Sequence, residues 1–126
     1  MSPVKISKTE QFHHEHKTWT RLLEFFKQEN YFMKTRLSEV VDHSTDRDFL
    51  ALAEQFQNRF LLKDEYIDEL RHDINKQDQL LSITTEILPG HKLLKTQEKL
   101  RNEMEYFEKD FNALKNEFNK YLSAIL

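Results

Sequence analysis

The chain has no cysteine, one glycine (Gly90) and two prolines (Pro3 and Pro89) in 126 residues. Without cysteine there is no disulfide framework, no thiolate nucleophile and no zinc-finger chemistry. Folds built on strands need many chain reversals, which recruit glycine and proline, so a few long helices are the expected architecture. Long apolar runs are missing too. The longest, Phe49 to Ala53, falls far short of the roughly 20 residues that cross a bilayer. The start carries no apolar signal region, and a soluble cytoplasmic protein is the expectation. Charge of one sign is also scarce: 19 Lys and Arg stand against 22 Asp and Glu, and bases alternate with acids along the chain. The electrostatic footprint of a nucleic-acid binder is therefore absent. Only residues 44–90 lean one way, with five basic residues against ten acidic.

What the sequence does have is period. Apolar residues step by four and three in three long series, the a and d positions of packed helices. The first runs Phe12, His16, Trp19, Leu23, Phe26, Asn30, Met33, Leu37, Val40; the second Phe49, Ala53, Phe56, Phe60, Lys63, Ile67, Leu70, Ile74, Gln77, Leu81, Thr84, Leu88. The third runs Leu93, Gln97, Leu100, Met104, Phe107, Phe111, Leu114, Phe118, Tyr121, Ile125. Of these 31 positions 25 are apolar, about twice what a chain that is 38% hydrophobic gives by chance. Ser7-Lys8-Thr9-Glu10 is a capping box, Thr45 or Asp46 can cap a second helix, and Pro89-Gly90 can end it by removing a donor and permitting a positive φ. Helices are expected at about 8–41, 46–88 and 91–125, forming one domain over 1–126: an all-α, elongated, up-down-up antiparallel three-helix bundle resembling a coiled coil. A break near Lys63-Asp64-Glu65 would convert it to four helices.

Short turns make consecutive helices antiparallel, and the heptad letters then predict which edges meet. Facing e edges would pair Asp64 with Lys115, Arg71 with Glu108 and Asp78 with Arg101 between the second and third helices. The first two helices would meet through g edges, bringing Leu22 to Tyr66 and Glu29 to Arg59. The first and third would run parallel, with Lys27 near Glu117 and His13 near Glu103.

Two E-x-x-H patterns, Glu10/His13 and Glu69/His72, have the spacing that di-iron carboxylate bundles use. The letters place Glu69 and His72 at c and f, on the outside, and Glu10 is engaged in the cap. The same register sets Glu15 beside Asp73, a like-charged pair that a cation would relieve, with His16 one position inward and Glu69 one turn away. Glu15, His16, Glu69 and Asp73 are thus the candidate ligands of a divalent ion, and a metal-binding carboxylate and histidine bundle is the alternative functional class. The bland readings are that the two carboxylates splay into water and that His16, at a core position, packs its ring and makes a hydrogen bond. Asn30 at a suits a register-fixing core amide, and Lys63 at d can bury its stem and surface its amine. No nucleophile-base constellation and no phosphate-cradling loop is present, so no catalytic residue is assigned and a non-enzymatic role is expected.

Several large apolar residues are left over. Phe25, Phe32, Leu62, Ile83 and Tyr106 fall at c, Tyr31 and Leu61 at b. In the expected register Phe25, Phe32, Leu62, Leu22 and Tyr66 cluster on one seam, as an interface for a homodimer or for a partner protein. Phe56-Gln57-Asn58-Arg59-Phe60 followed by Ile67-Asp68-Glu69-Leu70-Arg71-His72-Asp73-Ile74 resembles a segment of an uncharacterised family of small bacterial helical-bundle proteins. That resemblance implies a helical fold and carries no site. In overall class the chain also resembles ferritin-like and hemerythrin-like bundles, whose ligand positions do not map onto it. The function expected from all this is non-catalytic and works through protein contacts, with no cofactor, no nucleic acid and no membrane.

Overall fold

The computed structural model describes residues 7–84 and 89–125. They form three helices, α1 (Lys8–Val41), α2 (Arg47–Ile83) and α3 (His91–Ile125), and no strand occurs among the described residues. Because α2 runs unbroken through Lys63-Asp64-Glu65, the bundle has three helices and not four. Among the described residues no helix is long and apolar enough to cross a membrane.

The helix starts follow the local chemistry. Ser7 Oγ accepts from the Glu10 amide at 3.2 Å, satisfying one of the donors that a helix N-terminus leaves without a partner. Asp46, not Thr45, caps α2: its Oδ1 accepts from the amides of Asp48 at 2.9 Å and Phe49 at 3.2 Å. At the other end α2 closes at Ile83, with Thr84 as its cap. The expected continuation to Leu88 falls on residues 85–88, outside the described residues. Gly90 does not adopt the positive φ expected of it as the residue ending the second helix, and a Cβ there would meet nothing within 4 Å. Its backbone carbonyl instead starts α3 by accepting from Leu94 at 3.1 Å.

The phase of the three series is correct. The buried helical residues number eight on α1, nine on α2 and seven on α3, and every one belongs to the series read from the sequence. Aromatic rings fill much of this core. Phe26 meets Phe111 at 5.0 Å between centroids, and Phe60 meets Phe118 edge-on at 5.0 Å, the geometry that the ring quadrupole favours. Toward the α1–α2 turn, Tyr121 donates its hydroxyl to the Phe49 carbonyl at 2.9 Å, so a partly buried ring keeps its polar tip satisfied. Lys63 lies over the Phe107 ring at 5.7 Å and pairs its amine with Asp110, as a long side chain at d can.

The seams, in contrast, are exchanged relative to expectation. α1 and α2 meet through their e edges: Lys34 and Asn30 both reach Asp64, and His13 and His16 both reach Asp78. α2 and α3 meet through their g edges, where Arg59 binds Glu117 at 2.6 Å and Tyr66 stacks on Phe107 at 5.5 Å. α1 and α3 run parallel, with Glu15 on Arg101 at 2.6 Å and Glu29 on Lys115 at 2.8 Å. Asp64 therefore pairs with Lys34 and not Lys115, Arg71 with Glu24 and not Glu108, and Asp78 with the histidines and not Arg101.

The bundle turns with the opposite hand to the expected one. Heptad letters fix what points inward but leave the hand open, since both hands bury the same a and d residues. Polar groups decide it. In the expected hand Glu15 would face Asp73; in the observed one Glu15 and Glu29 each meet a cation. The observed hand also lets the buried amide of Asn30 donate to the Phe60 carbonyl at 2.8 Å and to Asp64 at 2.9 Å. Individually such contacts contribute about 1 kcal/mol, too little to make a core but enough to choose between two packings of similar burial.

Candidate functional site

One layer of the core is polar. His16 and Gln97 at a positions and Gln77 at a d position are all at least 97% buried, and they lie at the end of the bundle where α2 passes into α3. Apolar residues flank the layer, so each polar atom in it must find a partner within the protein or lose the full cost of leaving water.

The hydrogen bonds can be followed from a fixed point. The Leu93 carbonyl can only accept, so the Gln77 atom 2.9 Å away is its amide nitrogen. That nitrogen also lies 3.3 Å from Gln97 Oε1, and Gln97 Nε2 correspondingly donates to Glu15 at 3.2 Å. Glu15 is held in turn by Arg101 through two bonds, Nε at 2.9 Å and Nη2 at 2.6 Å, the planar fork that guanidinium offers a carboxylate. His16 Nε2 sits 2.7 Å from Gln97 Oε1 and donates to it. Its other nitrogen, Nδ1, is 2.7 Å from Asp78 Oδ1, and His13 Nδ1 approaches the same oxygen at 2.7 Å.

Both carboxylates respond to this setting. Burial pushes the Glu15 carboxyl up, but the hydrogen bonds from Arg101 and Gln97 outweigh it and hold the group below its ordinary value. Asp78 behaves alike: burial raises it, and the bonds from His16 and His13 bring it below the usual carboxylate range. The layer thus keeps two anions charged beside a buried imidazole. A cleft of about 440 Å³ lined by His13, His16, Asn75 and Asp78 opens this corner to solvent.

The four ligands expected from the sequence are not brought together. Glu15 is committed to Arg101 on the α1–α3 seam. Asp73 lines a groove between α2 and α3 with Glu103, Glu69 is exposed, and His16 is bound to Asp78 and Gln97. The cause is the hand of the bundle, which separates Glu15 from Asp73. Glu10, His72, His14, His43 and His91 are exposed, and neither E-x-x-H pattern points into the core. No family model, curated protein or solved structure matches the chain.

The expected interface residues divide as well. Tyr66 faces α3, and Leu62, one turn before it, shares that edge. Phe25 and Phe32 lie four residues before and three after Glu29, whose carboxylate reaches Lys115, so they flank the α1–α3 seam together with Leu22. The single patch on the α1–α2 seam does not exist; there are two, on opposite sides of α3.

Sequence reasoning does not single out Asp78, Gln77, Gln97 and Arg101 as a site. A signal is available: His16, Gln77 and Gln97 are three polar residues in core series, and an antiparallel fold about Pro89-Gly90 brings all three to one level.

Proposed function

We propose that the chain is a non-catalytic, cytoplasmic helical bundle that works through protein contacts, with a second copy of itself as the occupant of its α1–α3 face. The observation that carries this reading is the exposure of Phe25 and Phe32, at 52% and 68%, on a face unusually poor in charge. The two bonds Glu15–Arg101 and Glu29–Lys115 share an offset of 86 residues, which sets Phe25, Gln28, Phe32 and Thr35 of α1 level with Asn112, Asn116 and Asn119 of α3. One residue in three of the chain is charged, yet these seven are aromatic, amide or hydroxyl, and the ion pair that lies among them, Glu29 with Lys115, is internally matched. Aromatic residues with few charges are the composition of interface centres. A surface without net charge meets its own two-fold copy without repulsion, which favours an isologous dimer over a charged partner.

Sedimentation equilibrium tests this. At tens of micromolar the wild-type chain is expected at twice its chain mass, and a Phe25→Ser, Phe32→Ser variant at the chain mass with unchanged helical circular dichroism. A monomeric wild-type chain, or a variant that still dimerises, would overturn it.

A further inference from the structure

We propose that the groove between the end of α2 and the start of α3 binds a single-chain anionic amphiphile, an acyl carboxylate, with its chain along Ile83, Leu80, Leu93 and Leu100 and its carboxylate at Lys92. This goes beyond the contact function, uses a different face of the bundle and does not depend on it.

The first observation is room. A cavity of about 590 Å³ lies in the α2–α3 seam, within the roughly 300–1,000 Å³ of small-molecule pockets. Its lining on α2 runs from Asp73 to Thr84, about 16 Å of helix, so the space is long enough for an extended chain. Elsewhere this seam is filled: Arg59 reaches Glu117, and Tyr66 stacks on Phe107. Here the edge residues are Leu80 and Thr96, whose short side chains leave it open. Leu93 and Leu100 of α3 complete an apolar wall, while Leu80 and Ile83 stand 41% and 76% exposed. Apolar area left in water along one groove is what an acyl chain would cover.

The second observation is the order of charge along the groove. Because α2 and α3 run antiparallel, Asp73 and Glu103 mark its far end, and Thr84 and Lys92 mark the end beside the turn. At the far end Lys76 and Lys99 share the lining with those two acids, and Lys99 pairs with Glu103 at 3.7 Å. That end is balanced. At the turn end Lys92 has the hydroxyl residues Thr84 and Thr96 as its polar neighbours in the lining and no acid, and the first turn of α3 holds no acidic residue either. The chain as a whole carries a net charge of −3, so an anion is drawn to this place by the local ammonium and not by a general field. One uncompensated cation and two hydroxyls at the end of an apolar channel complement a single carboxylate on an acyl chain.

The test titrates the untagged full chain with decanoate by calorimetry, and follows the methyl signals of Leu80, Ile83 and Leu93 by NMR. One saturable site per chain is expected with a Kd below about 100 μM, with 1-decanol and acetate each bound roughly tenfold more weakly or worse. Lys92→Met is expected to weaken decanoate roughly tenfold and leave decanol unchanged, and Thr96→Trp, which fills the groove, to abolish binding with helical circular dichroism intact. Lys109→Met, exposed on α3 and outside the lining, should bind as the wild type does. So should the Phe25→Ser, Phe32→Ser variant, so that this site and the dimer face fail separately. No saturation by about 1 mM decanoate, decanol bound as tightly as decanoate, equal affinity in Lys92→Met, or shifts at Phe25 and Phe32 in place of Leu80 and Ile83 would each overturn the proposal. Leu80 and Ile83 signals that move with protein concentration before any decanoate is added would assign the groove to a second copy and overturn it as well.

Discussion

Phe111→Ala is expected to lower the unfolding free energy by about 3–5 kcal/mol, read from urea denaturation at a fixed protein concentration. Phe111 is fully buried, and its ring lies 5.0 Å from Phe26 on α1 and 5.8 Å from Phe107 on its own helix. Truncation forfeits the transfer of an aromatic side chain from water and leaves a hole between helices too long and regular to collapse into it. Tyr106, on the same helix, is the control: its ring is exposed, and the same truncation there is expected to cost less than about 1 kcal/mol. Equal losses at the two positions would mean that the phase of α3 is wrong.

The second large effect is polar. Gln97→Leu nearly conserves volume, so little cavity forms, and what it removes is the centre of the hydrogen-bonded layer. Gln77 keeps the Leu93 carbonyl and Glu15 keeps Arg101, but the Nε2–H of the buried His16 is left with no acceptor. An orphaned buried donor plus the lost bonds amounts to about 2–4 kcal/mol. The measurement is again urea denaturation, and a loss below about 0.5 kcal/mol would contradict the network, because an isolated glutamine in an apolar core is improved by leucine. Asn30 offers the contrast: among the described residues its Oδ1 finds no hydrogen-bond partner, so the amide is a register device whose satisfaction is only partial.

How much of this is legible in the sequence follows from what each signal encodes. The four-three repeats specify burial one helix at a time, which is why they place Phe12 to Leu37, Phe49 to Leu81 and Gln97 to Phe118 inward correctly. Caps are equally local: Ser7 with Glu10 and Asp46 with Phe49 are contacts within one turn. The hand of the bundle is a relation among three helices, and no single repeat carries it. Matching Asp64, Arg71 and Asp78 to Lys115, Glu108 and Arg101 gives a consistent answer on one seam only because both e edges carry charges of both signs. The discriminating residues are Glu15 and Asp73, which read as an ion site although their repulsion is evidence against that hand. His16 falls in the core on either reading, but its partners cannot be named until the hand is known, since Asp78 and Gln97 reach it across two different seams.

The hand of the bundle governs both the α1–α3 face and the histidine corner, and the ring of Tyr66 reports it directly. A NOESY spectrum of the wild-type chain should contain cross-peaks from the Tyr66 ring to Phe107, stacked 5.5 Å away, and to Tyr106, which lines the same groove on α3. Cross-peaks from Tyr66 to Leu22 of α1, without those to Phe107, would mean that the helices turn the other way.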